Sequence, residues 1–156
     1  MSRLFRLSFL IVASLIGVTL LLQSPAALLA APAAQADAPT GDPVIVAAGD
    51  ISDCGNVEDC MTAVLLDSIP GTVLAIGDTA YGAASLQEFN DCYGPSWGRH
   101  KDRTRPIPGN HEYASPGANG YFTYFGNAAT PLEPGCTRDC KGYYSFDLGA
   151  WHIVAL

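Results

Sequence analysis

"PVIVAAGD", Pro43–Asp50, is a continuously apolar run that stops on Gly-Asp, and its reading decides the fold. A strand with one wet face alternates apolar and polar residues. A run that stays apolar at successive positions expects cover on both faces, which is the habit of parallel sheets. "TVLAIGD", Thr72–Asp78, repeats the pattern. Between the two lies "NVEDCMTAVLLDSIPG", with Val57, Met61, Val64 and Leu65 on one helical face. Asn56 offers a cap at its start and Pro70-Gly71 a stop at its end. Strand, helix, strand is a crossover, so both Gly-Asp pairs leave the sheet at its C-terminal edge. Ligand sites of open parallel sheets lie at that edge.

Further along, Ser85-Leu86-Gln87-Glu88 has the capping-box pattern and opens a second short helix through about Cys92. "RPIP" gives a third strand that ends at "GNHE"; its prolines make it short or an edge. Three successive strand ends then carry Asp50, Asp78 and Asn110-His111. Ser115 to Cys140 is rich in Gly, Pro, Ala, Asn and Thr and reads as a long loop over that edge, with "GYFTYFG" embedded in it. "YYSFDLGAWHIVAL" reads as two strands around Gly149-Ala150, with glycine at the first turn position. The sequence stops at Leu156 within the second of them, so the expectation is an N-terminal piece of a longer domain.

The N-terminus is a separate matter. Arg3 and Arg6 precede the uncharged apolar run Leu7–Leu22, and Ala34-Gln35-Ala36 fits a cleavage site. The apolar run is shorter than the roughly 20 residues a spanning helix needs. The expectation is a signal peptide over residues 1–36, a single domain over 37–156, export to a secreted or periplasmic setting, and no membrane attachment after cleavage. Residues 37–156 hold all 15 acids and six of the eight bases, a net of −9. That excess argues against nucleic acid as a partner, since such binding rests on neutralising phosphates; it suits metal cations. All five cysteines, at 54, 60, 92, 136 and 140, lie in the exported part, where oxidation is favoured. Cys54–Cys60 and Cys136–Cys140 read as two local staples, with Cys92 left over.

Asp50, Asp78, Tyr81 and Asn110 with His111 make a set of oxygen and nitrogen donors of the kind hard and borderline cations prefer. In order and spacing, "GD…GDTAY…GNHE" resembles the first three signature blocks of the calcineurin-like metallophosphoesterases, and the tyrosine points to the purple acid phosphatase-like branch. The resemblance runs from about Val44 to Leu156. It implies an α/β fold with two mixed sheets sandwiched between helices, of which this sequence holds the N-terminal half. It implies two metal ions, Fe(III) with a divalent zinc, manganese or iron. Asp50 would bind the first metal, Asp78 bridge both, Tyr81 bind the first through its phenolate and Asn110 bind the second. His111 would face the substrate and protonate the leaving group. The implied reaction is hydrolysis of small phosphomonoesters by metal-bound hydroxide attacking phosphorus in line. Many members of the wider family have histidine two residues after the first aspartate; Ser52 stands there, as the tyrosine branch allows. The family draws three further histidines from later blocks, whereas only His111 and His152 follow Asn110. The piece 37–156 is therefore expected to bind less than one metal per chain, to be poorly soluble and to be inactive alone.

The physics supports those roles. Two dications about 3.5 Å apart repel by roughly 20 kcal/mol at an effective dielectric of 20, so a shared carboxylate is needed between them. Asn110 adds coordination without charge, and a histidine supplies a proton near neutral pH. Plainer readings exist for each residue. Gly-Asp after a strand is often only a turn, Tyr81 alone reads as a packed aromatic, His100 as a solvated loop residue and His152 as part of a sheet. Glu112 reads as a supporting or structural residue. The rival activity is a phosphodiesterase on the same metal core. The rival from another class is a disulfide-stapled binding module, which would carry no metal.

Overall fold

The structure is a computed structural model and describes residues 41–156. The expected signal peptide, residues 1–36, lies outside the described residues. The protein is α/β. β1 (Ile45–Ala48), β2 (Thr72–Ile76) and β3 (Thr104–Ile107) form a three-stranded sheet in that order. Both pairings are parallel, Ile45 opposite Thr72 and Val73 opposite Thr104. α1 (Glu58–Ser68) makes the crossover between β1 and β2. Among the described residues β3 is an edge strand, which suits Pro106, because proline has no N–H to donate to a neighbouring strand. β4 (Tyr144–Leu148) and β5 (Trp151–Ala155) form a separate antiparallel hairpin. Gly149 holds its first turn position at φ 59°. The hairpin is tied to β3: Tyr144 Oη donates to the Pro106 carbonyl at 2.8 Å, and Arg105 lies over the Phe146 ring.

The cover on the sheet differs from the expectation in two ways. Val73 and Ala75 are buried, but Ile45 and Ile76 are exposed, so the described residues cover only one face. On α1 the expected face is turned outward: Val57, Met61, Val64 and Leu65 are each at least 58% exposed. Asp59, Ala63 and Leu66 are buried instead. The reason lies 35 residues away, where the Trp97 indole donates to Thr62 Oγ1 at 2.9 Å and claims the Thr62–Ala63–Leu66 side. Trp97 opens a 3-10 segment, Trp97–Arg103, whose Arg103 guanidinium caps the end of α1 by donating to the Leu66 and Gly71 carbonyls. His100 in the same segment is half-buried rather than solvated, with Nε2 2.9 Å from Asp67. The helix start also differs: Asn56 makes no cap, and Val57 holds that position without a side-chain bond.

The core is aromatic. Ser85 and Glu88 form the expected capping box at the start of α2 (Leu86–Glu88), which passes into a π-helical turn, Phe89–Tyr93. The stretch read as a long loop contains α3 (Asn119–Phe125), so that reading is corrected. Its Tyr121, Phe122 and Phe125 are buried, and Tyr124 stacks on Phe89 with ring centroids 4.9 Å apart. Helical spacing of four aromatics outweighs the loop-like composition around them, because burying each ring removes some 150–250 Å² from water. Gly120 is what lets α3 approach α2. A Cβ there would stand 2.1 Å from the Ala84 carbonyl oxygen.

Two of these buried phenols give the fold a pH limit. Burial raises the Tyr93 and Tyr121 pKa values above the ordinary 10.0. Below pH 10 the phenols are protonated in both folded and unfolded chains, and stability does not depend on them. Above pH 10 the unfolded chain loses protons that the fold retains, so stability falls by about 1.4 kcal/mol per pH unit per phenol. Urea midpoints measured from pH 8 to 11.5 should be flat to about 10 and then drop, and Tyr93→Phe should reduce the slope. An unchanged midpoint at pH 11.5 would contradict the burial argument.

One disulfide is corrected. Cys136–Cys140 is formed as expected, but Cys54 pairs with Cys92, and Cys60 is free and exposed. Cys60 rides on the outward side of α1, whereas the π-helical turn brings Cys92 to the loop after β1. A bond spanning 38 residues constrains the unfolded chain by about 4 kcal/mol, against about 2 for the local staple. The Cys54→Ala/Cys92→Ala double variant should therefore lose about 2–4 kcal/mol in urea unfolding. Cys60→Ser should lose almost nothing. A non-reduced peptide map joining Cys54 to Cys60 would overturn the pairing.

Candidate metal centre

Parallel pairing continues past the strands and zips the two Gly-Asp loops together. Asp50 N–H donates to the Gly77 carbonyl at 3.2 Å, Ile51 N–H to Asp78 at 3.0 Å, and Ser52 N–H to Thr79 at 3.2 Å. Tyr81 N–H then returns to the Ser52 carbonyl at 2.6 Å. Asp50 and Asp78 both adopt left-handed backbone, at φ 51° and 47°. Such conformations cost an L-residue roughly 1–2 kcal/mol, Asp somewhat less, and they cluster at functional sites. The turn that ends each strand thus aims its carboxylate along the sheet edge.

The Tyr81 phenol donates to Asp50 Oδ1. That hydrogen bond, then loss of water, then the charges of Asp50, Asp78 and Glu112 push its pKa up to about 12. Its proton therefore stays between the two oxygens at neutral pH. Asp78 Oδ1 accepts the His111 backbone N–H at 2.9 Å. The His111 ring lies 4.5 Å from the Tyr81 ring, centroid to centroid. Its Nδ1 is 2.9 Å from the Gly82 carbonyl. A carbonyl only accepts, so Nδ1 carries the hydrogen of this bond. Asn110 is exposed between Gly109 and His111. A cleft of about 220 Å³ opens beside Asp50 and Tyr81, lined also by Ser52, Asp53, Asn56 and Glu58. Its acids favour cations over anions.

The Asp50 carboxylate is thus bonded to the Tyr81 phenol and the Asp78 carboxylate to the His111 backbone; backbone bonds such as Ile51 N–H to the Asp78 carbonyl join the two loops, and Asn110 adjoins the second pair. His152 is remote in this network: it lies on the hairpin, with Nδ1 2.7 Å from Asp147. Among the described residues no group of three or more His, Cys, Asp or Glu side chains stands close enough to hold a metal ion. The donor set available here is two carboxylates, a phenol and an amide. The chemistry of that set suits a hard or borderline cation. The participant the sequence left vague is Glu112. It is fully buried beneath this edge, and the only hint of it is its place two residues after Asn110. Comparison with protein-family models, curated proteins and solved structures returns no match.

Proposed function

We propose that this protein is a metal-dependent phosphoesterase of the purple acid phosphatase-like kind, acting on small phosphomonoesters. The observation that carries the reading is the meeting of Asp50 and Asp78 at one sheet edge. Both carboxylates are presented by left-handed turns, with the Tyr81 phenol on the first and the His111 loop on the second. A pair of bound cations supplies Lewis-acid polarisation of the phosphate and activation of water. The chain's own part is to hold and orient. Asp50 and Tyr81 would hold one cation, the phenol being bonded to the Asp50 carboxylate in its absence. Asp78 and Asn110 would complete the donor set toward the second. His111, fixed through Nδ1 on the Gly82 carbonyl, holds a proton at Nε2 for the departing alkoxide.

The reading extends to Fe(III) beside Tyr81, with zinc, manganese or ferrous iron beside Asn110. Ionising a free phenol at pH 7 costs about 4 kcal/mol, which a trivalent cation offsets more readily than a dication. It also extends to a sandwich of two sheets for the whole domain and to export from the cell. Two disulfides among the described residues suit an oxidising compartment. No helix among those residues is long and apolar enough to cross a membrane.

Two assays of the full-length protein test the proposal. Hydrolysis of p-nitrophenyl phosphate should exceed that of bis(p-nitrophenyl) phosphate and be lost with chelator; faster diester turnover would favour the phosphodiesterase reading. The wild type should show a visible phenolate-to-iron absorption band that Tyr81→Phe removes. A colourless, iron-free and fully active preparation would defeat the iron assignment.

A further inference from the structure

Glu112 is 0% exposed, and the contacts of its carboxylate oxygens are with three backbone amides. Oε2 accepts from Asp78 N–H at 3.0 Å and Gly109 N–H at 2.6 Å, and Oε1 accepts from Thr79 N–H at 2.7 Å. Ionised acceptors make hydrogen bonds roughly twice as strong as neutral ones, and burial spares these from water. The amides come from two loops, the end of β2 and the end of β3, that are otherwise joined side by side with little between them. A Cβ on Gly109 would stand 2.4 Å from both Asp78 N and Asp78 Oδ1, and one on Gly77 would stand 3.0 Å from Gly109 Cα. Backbone meets backbone here, and the buried Glu112 carboxylate ties the pieces from beneath, alongside the bond from the His111 N–H to Asp78 Oδ1.

We propose that Glu112 is a positioning residue for the candidate centre. By gripping the amides of Asp78 and Thr79 it holds Asp78 in its left-handed conformation and so aims the Asp78 carboxylate. By gripping Gly109 with the same oxygen it sets the Asn110-His111 loop against that carboxylate. The donor count explains why the residue is an acid. Three N–H groups converge on two oxygens, and a glutamine would turn its NH₂ toward at least one of them. The proposal rests on the reading of Asp78 as a shared metal ligand.

The test compares Glu112→Gln with Leu66→Ala in the full-length protein, the second destabilising the core far from the site. Two readouts are taken: amide hydrogen exchange of the metal-free protein and Mn²⁺ affinity by calorimetry, both well below the unfolding temperature. Glu112→Gln should speed exchange selectively at Asp78, Thr79, Gly109 and His111 and weaken Mn²⁺ binding by about 10–100-fold. Leu66→Ala should leave Mn²⁺ affinity within about twofold, as expected for a site that shares no partner with it. If Glu112→Gln matches Leu66→Ala in both readouts, Glu112 only stabilises the fold and the proposal is overturned. If Glu112→Gln does not fold, Glu112→Asp replaces it, since the shorter acid keeps the charge but cannot reach all three amides. If the wild type binds no Mn²⁺, the phosphoesterase reading fails. The exchange pattern then still decides whether Glu112 orders the Asp78 loop.

Discussion

Replacing His111 with alanine in the full-length protein is expected to slow turnover of alkyl phosphates by about 10²–10⁴-fold, the usual worth of a positioned general acid. The metal content should not change, because neither ring nitrogen is assigned to a metal. The contact that ties this loop to Asp78 comes from the His111 backbone N–H, which alanine keeps. The loss should depend on the leaving group. An alkoxide needs a proton to depart, whereas p-nitrophenolate does not, so p-nitrophenyl phosphate should lose much less rate than an alkyl phosphate. The Gly82 carbonyl would lose the Nδ1–H donor, a local cost at an exposed position. Measuring kcat for both substrates together with metal content separates the outcomes. Loss of metal in His111→Ala would make the histidine a ligand and overturn its role as proton donor.

Asp78→Asn is expected to have the largest effect on metal binding. Asparagine tolerates the left-handed backbone as well as aspartate does, and its side-chain oxygen still accepts the His111 N–H. The fold should therefore hold, and unfolding midpoints should move little. The charge, however, is gone from the position assigned to both cations. A carboxylate about 4 Å from a dication contributes roughly 8 kcal/mol at an effective dielectric of 20, before the cost of removing water. Even with most of that offset, affinity should fall by about 10³-fold or more at both positions, and activity should disappear. Asp50→Asn should weaken the first position more than the second. If Asp78→Asn retains both metals and its activity, the shared-ligand assignment is wrong.

The parallel sheet and the meeting of its strand ends were legible because each rests on local pattern. Continuous apolar runs ending in Gly-Asp mark the strands, and a crossover of fixed hand brings the ends to one edge. The capping box at Ser85 and the turn at Gly149 were legible for the same reason. What was not legible depends on partners far along the chain. Either face of α1 offers apolar residues, and Trp97 chooses between them. Cys54 has a near partner in sequence and a distant one in space, and the π-helical turn selects Cys92. α3 was hidden by Gly, Pro and Asn around an aromatic helix whose partner is Phe89. Glu112 was the hardest: its place after histidine says no more than supporting or structural, and only the convergence of three amides gives it a specific role.

If these strand ends hold metal, the metal content of the protein reports it. The full-length protein, purified without chelator from medium containing iron, zinc and manganese, should carry about two metal ions per chain by elemental analysis, iron among them. The Asp50→Asn and Asp78→Asn variants should fall below the wild type. A folded wild-type protein with no bound metal, and none taken up on titration, would contradict the account and leave Asp50 and Asp78 as turns.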